Sequence, residues 1–248
     1  MSATQPENSA NSRDIPIRDI EIKTTDIHVP KKAHLPDMKL ASLVNGFDHE
    51  TAEGQGVAIH ITSAYKKEGA DHIAIEAAIF AAKKEEKSVL ILDIEPDAKG
   101  AAIKYGLNPE VTLDAYILDG DRQETPFVNI ANTKCVYAKI DADNNSSSLL
   151  FNTRQLKRII NEAKSLYDLV IIRSANALQR STAATLAPLV ESTIIAIKAD
   201  RTRYQVVKEL VDLVQDNGGK VTGTVMTNRR YYIPKLLYAL FFNADNRD

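Results

Sequence analysis

The chain has one cysteine, Cys135, in 248 residues. A single thiol makes no internal disulfide and no cysteine cluster for zinc. It sits in the apolar run Cys135-Val136-Tyr137-Ala138, which reads as a buried strand thiol rather than a nucleophile. The five histidines (His28, His34, His49, His60, His72) lack i, i+4 pairing and companion cysteines, so they compose no metal-ligand pattern. No run of ~18 apolar residues is present, and no segment predicts a bilayer-spanning helix. The opening MSATQPENSANSRD has no apolar signal core. Charge of one sign is also missing. A net charge of -2 and a pI near 6.2 give no global attraction to nucleic acid or to an anionic membrane. The expectation is a soluble, cytoplasmic protein that meets a membrane only through a partner.

Two compositions divide the chain. Residues 1–50 are polar, carry Pro at 6, 16, 30 and 36, and show no sustained helical period, which predicts a flexible N-terminal arm. Within it Ile15-Pro16-Ile17-Arg18-Asp19-Ile20-Glu21-Ile22 has β character and could add to a sheet edge, although a tethered linker is the plainer reading. Residues 51–242 read as one domain and 243–248 as a tail. Short apolar strands are expected at 57–62, 88–93, 134–140, 168–172, 193–198 and 221–227. Helices are expected at 71–86, 151–166, about 181–189, and 202–217, the last closed by Asn217-Gly218-Gly219. Strands of this kind alternating with helices predict an α/β fold, a mostly parallel sheet with helices on both faces.

In such sheets ligands sit at the carboxyl ends of strands. Three of those ends carry polar sequence: the loop 63–71, the segment Asp93–Asp97, and Arg173–Asn176. The loop Ala64-Tyr65-Lys66-Lys67-Glu68-Gly69-Ala70-Asp71 has the layout of a phosphate-binding loop between a strand and a helix. A working loop of this type ends Gly-Lys-Ser/Thr, with backbone N–H groups and the lysine on phosphates and the hydroxyl on Mg²⁺. Here Ala70 stands at the lysine position and Asp71 at the hydroxyl position. The run Lys83-Lys84-Glu85-Glu86-Lys87 reads as a solvated helix end, and Glu76 as a solvent-facing helix acid.

Further motifs carry a resemblance. Val89-Leu90-Ile91-Leu92-Asp93-Ile94-Glu95 resembles the acidic second strand of the bacterial tyrosine kinases, P-loop ATPase domains that work with polysaccharide co-polymerases. Tyr167-Asp168-Leu169-Val170-Ile171-Ile172 resembles the strand leading to that family's Walker B aspartate. Asn228-Arg229-Arg230-Tyr231-Tyr232-Ile233-Pro234-Lys235-Leu236-Leu237-Tyr238 is similar to its closing Asn and Tyr-Ile-Pro segment. The likeness runs in order from about 57 to 240 and implies a P-loop-type fold, with Asn228 as a candidate beside the nucleotide base.

The departures fall where the chemistry would be. The family's Pro-Gly-Glu-Gly-Lys-Ser/Thr becomes Lys66-Lys67-Glu68-Gly69-Ala70-Asp71, and the Walker B position holds Arg173. A charged hydrogen bond to phosphate is worth ~1.5–3 kcal/mol, so loss of the lysine alone implies about ten-fold weaker binding or worse. Asp93 is kept and Glu95 is a longer substitute. Across the five aligned positions both patterns carry a net charge of -2, as though Arg173 supplied from within the chain what bound Mg²⁺ supplies in the family. An Asp71–Arg173 or Asp93–Arg173 ion pair is therefore expected in place of the Ser–Mg²⁺–Asp bridge. The tyrosine-rich tail and the family's Glu-x-x-Arg-x-x-Arg assembly motif are absent, so its ring is not implied.

Taken with the resemblance, these residues imply a catalytically degenerate member, with no catalytic residue, metal or cofactor expected. Its implied role is a regulatory or scaffolding component of exopolysaccharide or capsule synthesis and export, bound to a polysaccharide co-polymerase or an active kinase relative. Two other readings stay open: a divergent ATPase using Asp93 and Glu95 for metal, and a metal-free site holding ADP or another anion on the loop.

Overall fold

A computed structural model describes residues 22–25, 35, 37–46, 55–94, 101–119, 124–140, 153–174, 176–178 and 181–228. The elements in chain order are β1 (Ile22–Thr25), α1 (Asp37–Asn45), β2 (Val57–Ser63), α2 (Ala70–Lys84), β3 (Val89–Asp93), α3 (Ala101–Lys104), α4 (Leu113–Asp119), β4 (Phe127–Ile130), β5 (Cys135–Lys139), α5 (Thr153–Leu166), β6 (Leu169–Arg173), α6 (Thr182–Leu186), β7 (Ser192–Lys198), α7 (Tyr204–Asp216) and β8 (Val221–Thr227). A turn of 3₁₀ helix, Ala187–Leu189, follows α6.

The eight strands form one sheet in the order β1-β4-β5-β3-β6-β2-β7-β8. Every neighbouring pair is parallel except the β4–β5 hairpin. The sheet is thus mostly parallel, with helices, and matches a P-loop α/β fold. Strands β2, β3 and β6 are buried along their whole length, which explains why their sequences are largely apolar on both faces until their carboxyl ends.

Period-2 geometry sorts the strand side chains onto two faces. Val57, Ile59, Ile61, Val89, Ile91, Leu169 and Ile171 pack with Ile73, Ala74, Ala77 and Ala81 of α2. On the other face Ala58, Leu90, Leu92, Val170 and Ile172 pack with Leu156, Ile159, Ile160 and Ala163 of α5, an i, i+3, i+4, i+7 stripe. Each buried Ile or Leu contributes about 1.5–3 kcal/mol of transfer free energy.

Helix α2 is apolar nearly all round because it is covered twice. The sheet takes one side, and α1 takes another through Leu40 and Val44. Glu76, expected to face solvent, is instead buried inside this packing. Its carboxylate accepts the Leu35 N–H at 2.9 Å and the Tyr105 hydroxyl at 3.2 Å. A carboxylate with two donors tolerates burial that an unpaired one would not. Within the arm expected to be mostly disordered, residues 37–45 form a helix docked on the domain. Strand β1 pairs in register with β4, Ile22 opposite Phe127. Residues 15–21 of the proposed edge segment lie outside the described residues, as does the tail 243–248. The run at the end of α2 is exposed over 83–86, as expected.

Candidate functional site

The parallel registers align the carboxyl ends of the central strands. Asp93 on β3 lies opposite Arg173 on β6, Ile61 on β2 lies opposite the same Arg173, and Lys198 on β7 lies opposite Thr227 on β8. The loop after β2, residues 64–69, crosses this end and turns into α2.

Its backbone is held in a form that glycine chemistry dictates. Gly69 has φ 100° and Lys67 has φ 66°. A Cβ on Gly69 would lie 2.9 Å from Thr227 Cγ2, so both the dihedral and the space call for glycine. Glu68 is the buried anchor of the loop. One carboxylate oxygen accepts the Tyr65 N–H at 3.0 Å, and the other accepts the Thr202 hydroxyl from the turn after β7. The Glu68 carbonyl accepts the Thr227 hydroxyl at 2.6 Å. The loop is thus tied to β8 and to the β7–α7 turn by groups of the chain itself. Ala70, at the lysine position, is buried and brings no charge. Asp71 is half-buried in the first turn of α2, and its Oδ1 accepts the His72 N–H at 3.0 Å. Lys66 and Lys67 are exposed.

Beneath the start of α2, three adjacent strands supply a row of polar side chains on one face. Arg173 donates to Asp93 Oδ1 at 2.6 Å, and the Tyr137 hydroxyl of β5 donates to Asp93 Oδ2 at 2.9 Å. The Arg173 and Asp93 side chains are 7% and 6% exposed. Of the two ion pairs expected from sequence, Asp93–Arg173 is a direct contact, and the Asp71 charge also acts on Arg173. Burial is the largest influence on the guanidinium and opposes its charge. The neighbouring Asp93 and Asp71 carboxylates together outweigh it and hold the Arg173 pKa above its ordinary value. Burial first, and then Asp93, push the Tyr137 phenol well above its usual range. Tyr137 was missed in the sequence because its neighbours made the strand read as plain core. The usable signal was its two-residue spacing from Cys135, which puts it on the α2 face.

The remaining candidates are scattered differently. Glu95 lies outside the described residues. Asn228 is exposed at the end of β8 with φ 53°, a turn conformation that asparagine tolerates. Among the described residues no group of three or more His, Cys, Asp or Glu could hold a metal ion. On the opposite face of the sheet the His60 imidazole Nε2 shares a 2.7 Å hydrogen bond with the Ser174 hydroxyl, which also meets Thr62 at 3.0 Å. Burial lowers the His60 pKa to about 3, so this ring is a neutral core group. Among the described residues no helix is long and apolar enough to cross a membrane.

No family model matches the chain, and no curated protein matches it in sequence. Its architecture does have solved counterparts. It is similar to the kinase domain of the Escherichia coli tyrosine kinase ETK, with 18% identity, TM-score 0.68, and 84% of each chain covered. The VpsO kinase domain aligns at 20% identity and TM-score 0.63, over 78% of this chain and 96% of that one. The cell division ATPase MinD of Pyrococcus furiosus aligns at 17% identity and TM-score 0.56, over 75% of this chain and 79% of that one. At these identities the likeness is one of fold: the chain has the P-loop α/β fold of bacterial tyrosine kinase domains, with MinD-type ATPases as more distant structural neighbours.

Proposed function

We propose that the protein is a non-catalytic counterpart of the bacterial tyrosine kinase domains. In this reading it is a regulatory or scaffolding component of exopolysaccharide or capsule synthesis and export, working through a polysaccharide co-polymerase or an active kinase. The observation that carries it is the buried Asp93–Arg173 pair. It puts a cation where a P-loop enzyme of this type needs a metal-binding carboxylate, and commits the surviving aspartate to that cation. The loop supports the same reading. Glu68 takes a loop N–H with its own carboxylate, and Ala70 brings no side-chain cation for phosphate. This donor set does not fit a magnesium nucleotide. Phosphoryl transfer rests on positioning and electrostatics, the terms these residues remove. The structural neighbours are kinases and ATPases, so the non-catalytic role is drawn from this chain's own side chains, and the polysaccharide setting from the resemblance.

The test is an isothermal titration with ATP and ADP, with and without Mg²⁺. The native chain is expected to give no binding heat, and a variant carrying Ala70→Lys, Asp71→Ser and Arg173→Asp is expected to gain some. Magnesium-dependent micromolar binding by the native chain would overturn the reading in favour of a divergent ATPase. Metal-free binding of ADP would do so in favour of an anion-binding module.

A further inference from the structure

The Thr202–Glu68 hydrogen bond does more than hold the loop: it brings two solvent-facing basic segments together. Lys66 and Lys67 precede Glu68 on the loop, while Arg201 and Arg203 flank Thr202 on the turn, and all four are exposed. Tyr65 and Tyr204 lie at the outer ends of these segments, 36% and 77% exposed. Nearby acids do little to offset them. Glu68 is buried and committed to Tyr65 and Thr202, and the charge of the half-buried Asp71 acts on Arg173. Asp200 is the exposed acid on the turn, and half-buried Lys198 adds a cation at its start. A chain with net charge -2 therefore concentrates four exposed cations and two exposed phenol rings around one contact.

Arginine and lysine heads grip carboxylates, the arginine fork in a bidentate way, and Tyr and Arg are enriched where proteins meet. On its inner side the rim meets a Tyr65 N–H already taken by Glu68 and, at position 70, an alanine in place of a phosphate-binding lysine. An anionic bilayer would meet the rest of this acidic chain as well as the rim. A short peptide meets the rim alone, within a Debye length of its cations. We infer that this rim is the docking surface for an Asp/Glu-rich peptide segment of a protein partner. The inference rests on the partner-binding reading above and supplies the partner's chemistry.

The experiment uses the full chain and a fluorescent decapeptide of alternating Glu and Gly, followed by anisotropy at about 50 and about 200 mM salt. Binding is expected at low salt and should weaken at high salt, while the Gln-for-Glu peptide should not bind. Lys66→Glu/Lys67→Glu and Arg201→Glu/Arg203→Glu should each weaken binding by about ten-fold or more. Arg154→Glu/Lys157→Glu, the same charge change on the exposed face of α5, should leave it within about two-fold. Far-UV circular dichroism checks each fold, and either rim pair suffices if the other misfolds. Absence of native binding, equal binding of the Gln peptide, or equal loss in the α5 control would overturn the inference. So would rim-dependent binding to phosphatidylserine vesicles with none to the peptide. Nucleotide titration is scored separately, so the rim can fail while the non-catalytic reading stands.

Discussion

Replacing Arg173 with alanine is the most informative perturbation. In the native chain Arg173 and Asp93 sit 2.6 Å apart with side chains 7% and 6% exposed, and Tyr137 is the other donor to the same carboxylate. Arg173→Ala leaves the buried Asp93 carboxylate with Tyr137 and without its charge partner. Breaking a buried ion pair from one side costs about 3–5 kcal/mol, because the remaining charge keeps its desolvation penalty. In a domain of this size each kcal/mol lowers Tm by roughly 2–4 °C, giving a drop of about 6–20 °C. Differential scanning calorimetry at neutral pH reads this directly. The double variant Asp93→Asn/Arg173→Met removes both charges, keeps an acceptor for Tyr137, and is expected to recover more than half of the loss. A single variant melting within about 2 °C of native, or a double variant no better than the single, would refute the view that the pair braces the site.

Other outcomes follow from the same structure. Glu76→Ala should cost about 1–3 kcal/mol by stranding the Leu35 N–H and the Tyr105 hydroxyl, and should speed proteolysis near residue 35; urea melts and limited trypsin digestion check both. Because the folded His60 ring has its pKa lowered to about 3, the unfolded chain binds a proton below about pH 6.5 that the folded chain refuses. This group's contribution therefore falls as pH drops from about 6.5 towards 3, at up to about 1.4 kcal/mol per pH unit. His60→Gln should remove that slope from urea midpoints taken between pH 7 and pH 5. Burial pushes the Cys135 thiol well above its ordinary pKa, so iodoacetamide should label it only after urea unfolding, as mass spectrometry would read. Gly69→Val should destabilise by about 1–3 kcal/mol, since φ 100° is strained for valine and Thr227 occupies the Cβ space.

Apart from the short helices α3 and α4 and strand β4, the order of strands and helices from Val57 to Thr227 was legible in sequence because local rules govern it. Strands of five to seven residues that are mostly apolar on both faces read as buried on both, and α5 carries its inward stripe in its own spacing. The hairpin β4–β5 was half seen: Cys135–Lys139 was expected, but Phe127–Ile130 was not, being only four residues long. The substitutions Ala70, Asp71 and Arg173 could be read from motif alignment, which places residue types at positions. Their partners could not. Asp93 is 80 positions from Arg173, Thr202 is 134 from Glu68, and Glu76 is 41 from Leu35. Sequence alone therefore determined the class of sheet, the identity of the altered loop and the presence of a cation at the β6 end. Only tertiary structure decided that Asp93 makes direct contact with that cation, that Tyr137 joins them, and that Glu76 lies inside. The reason is physical: burial and charge pairing depend on which strands become neighbours, and that is decided by packing across the whole chain rather than by any local period.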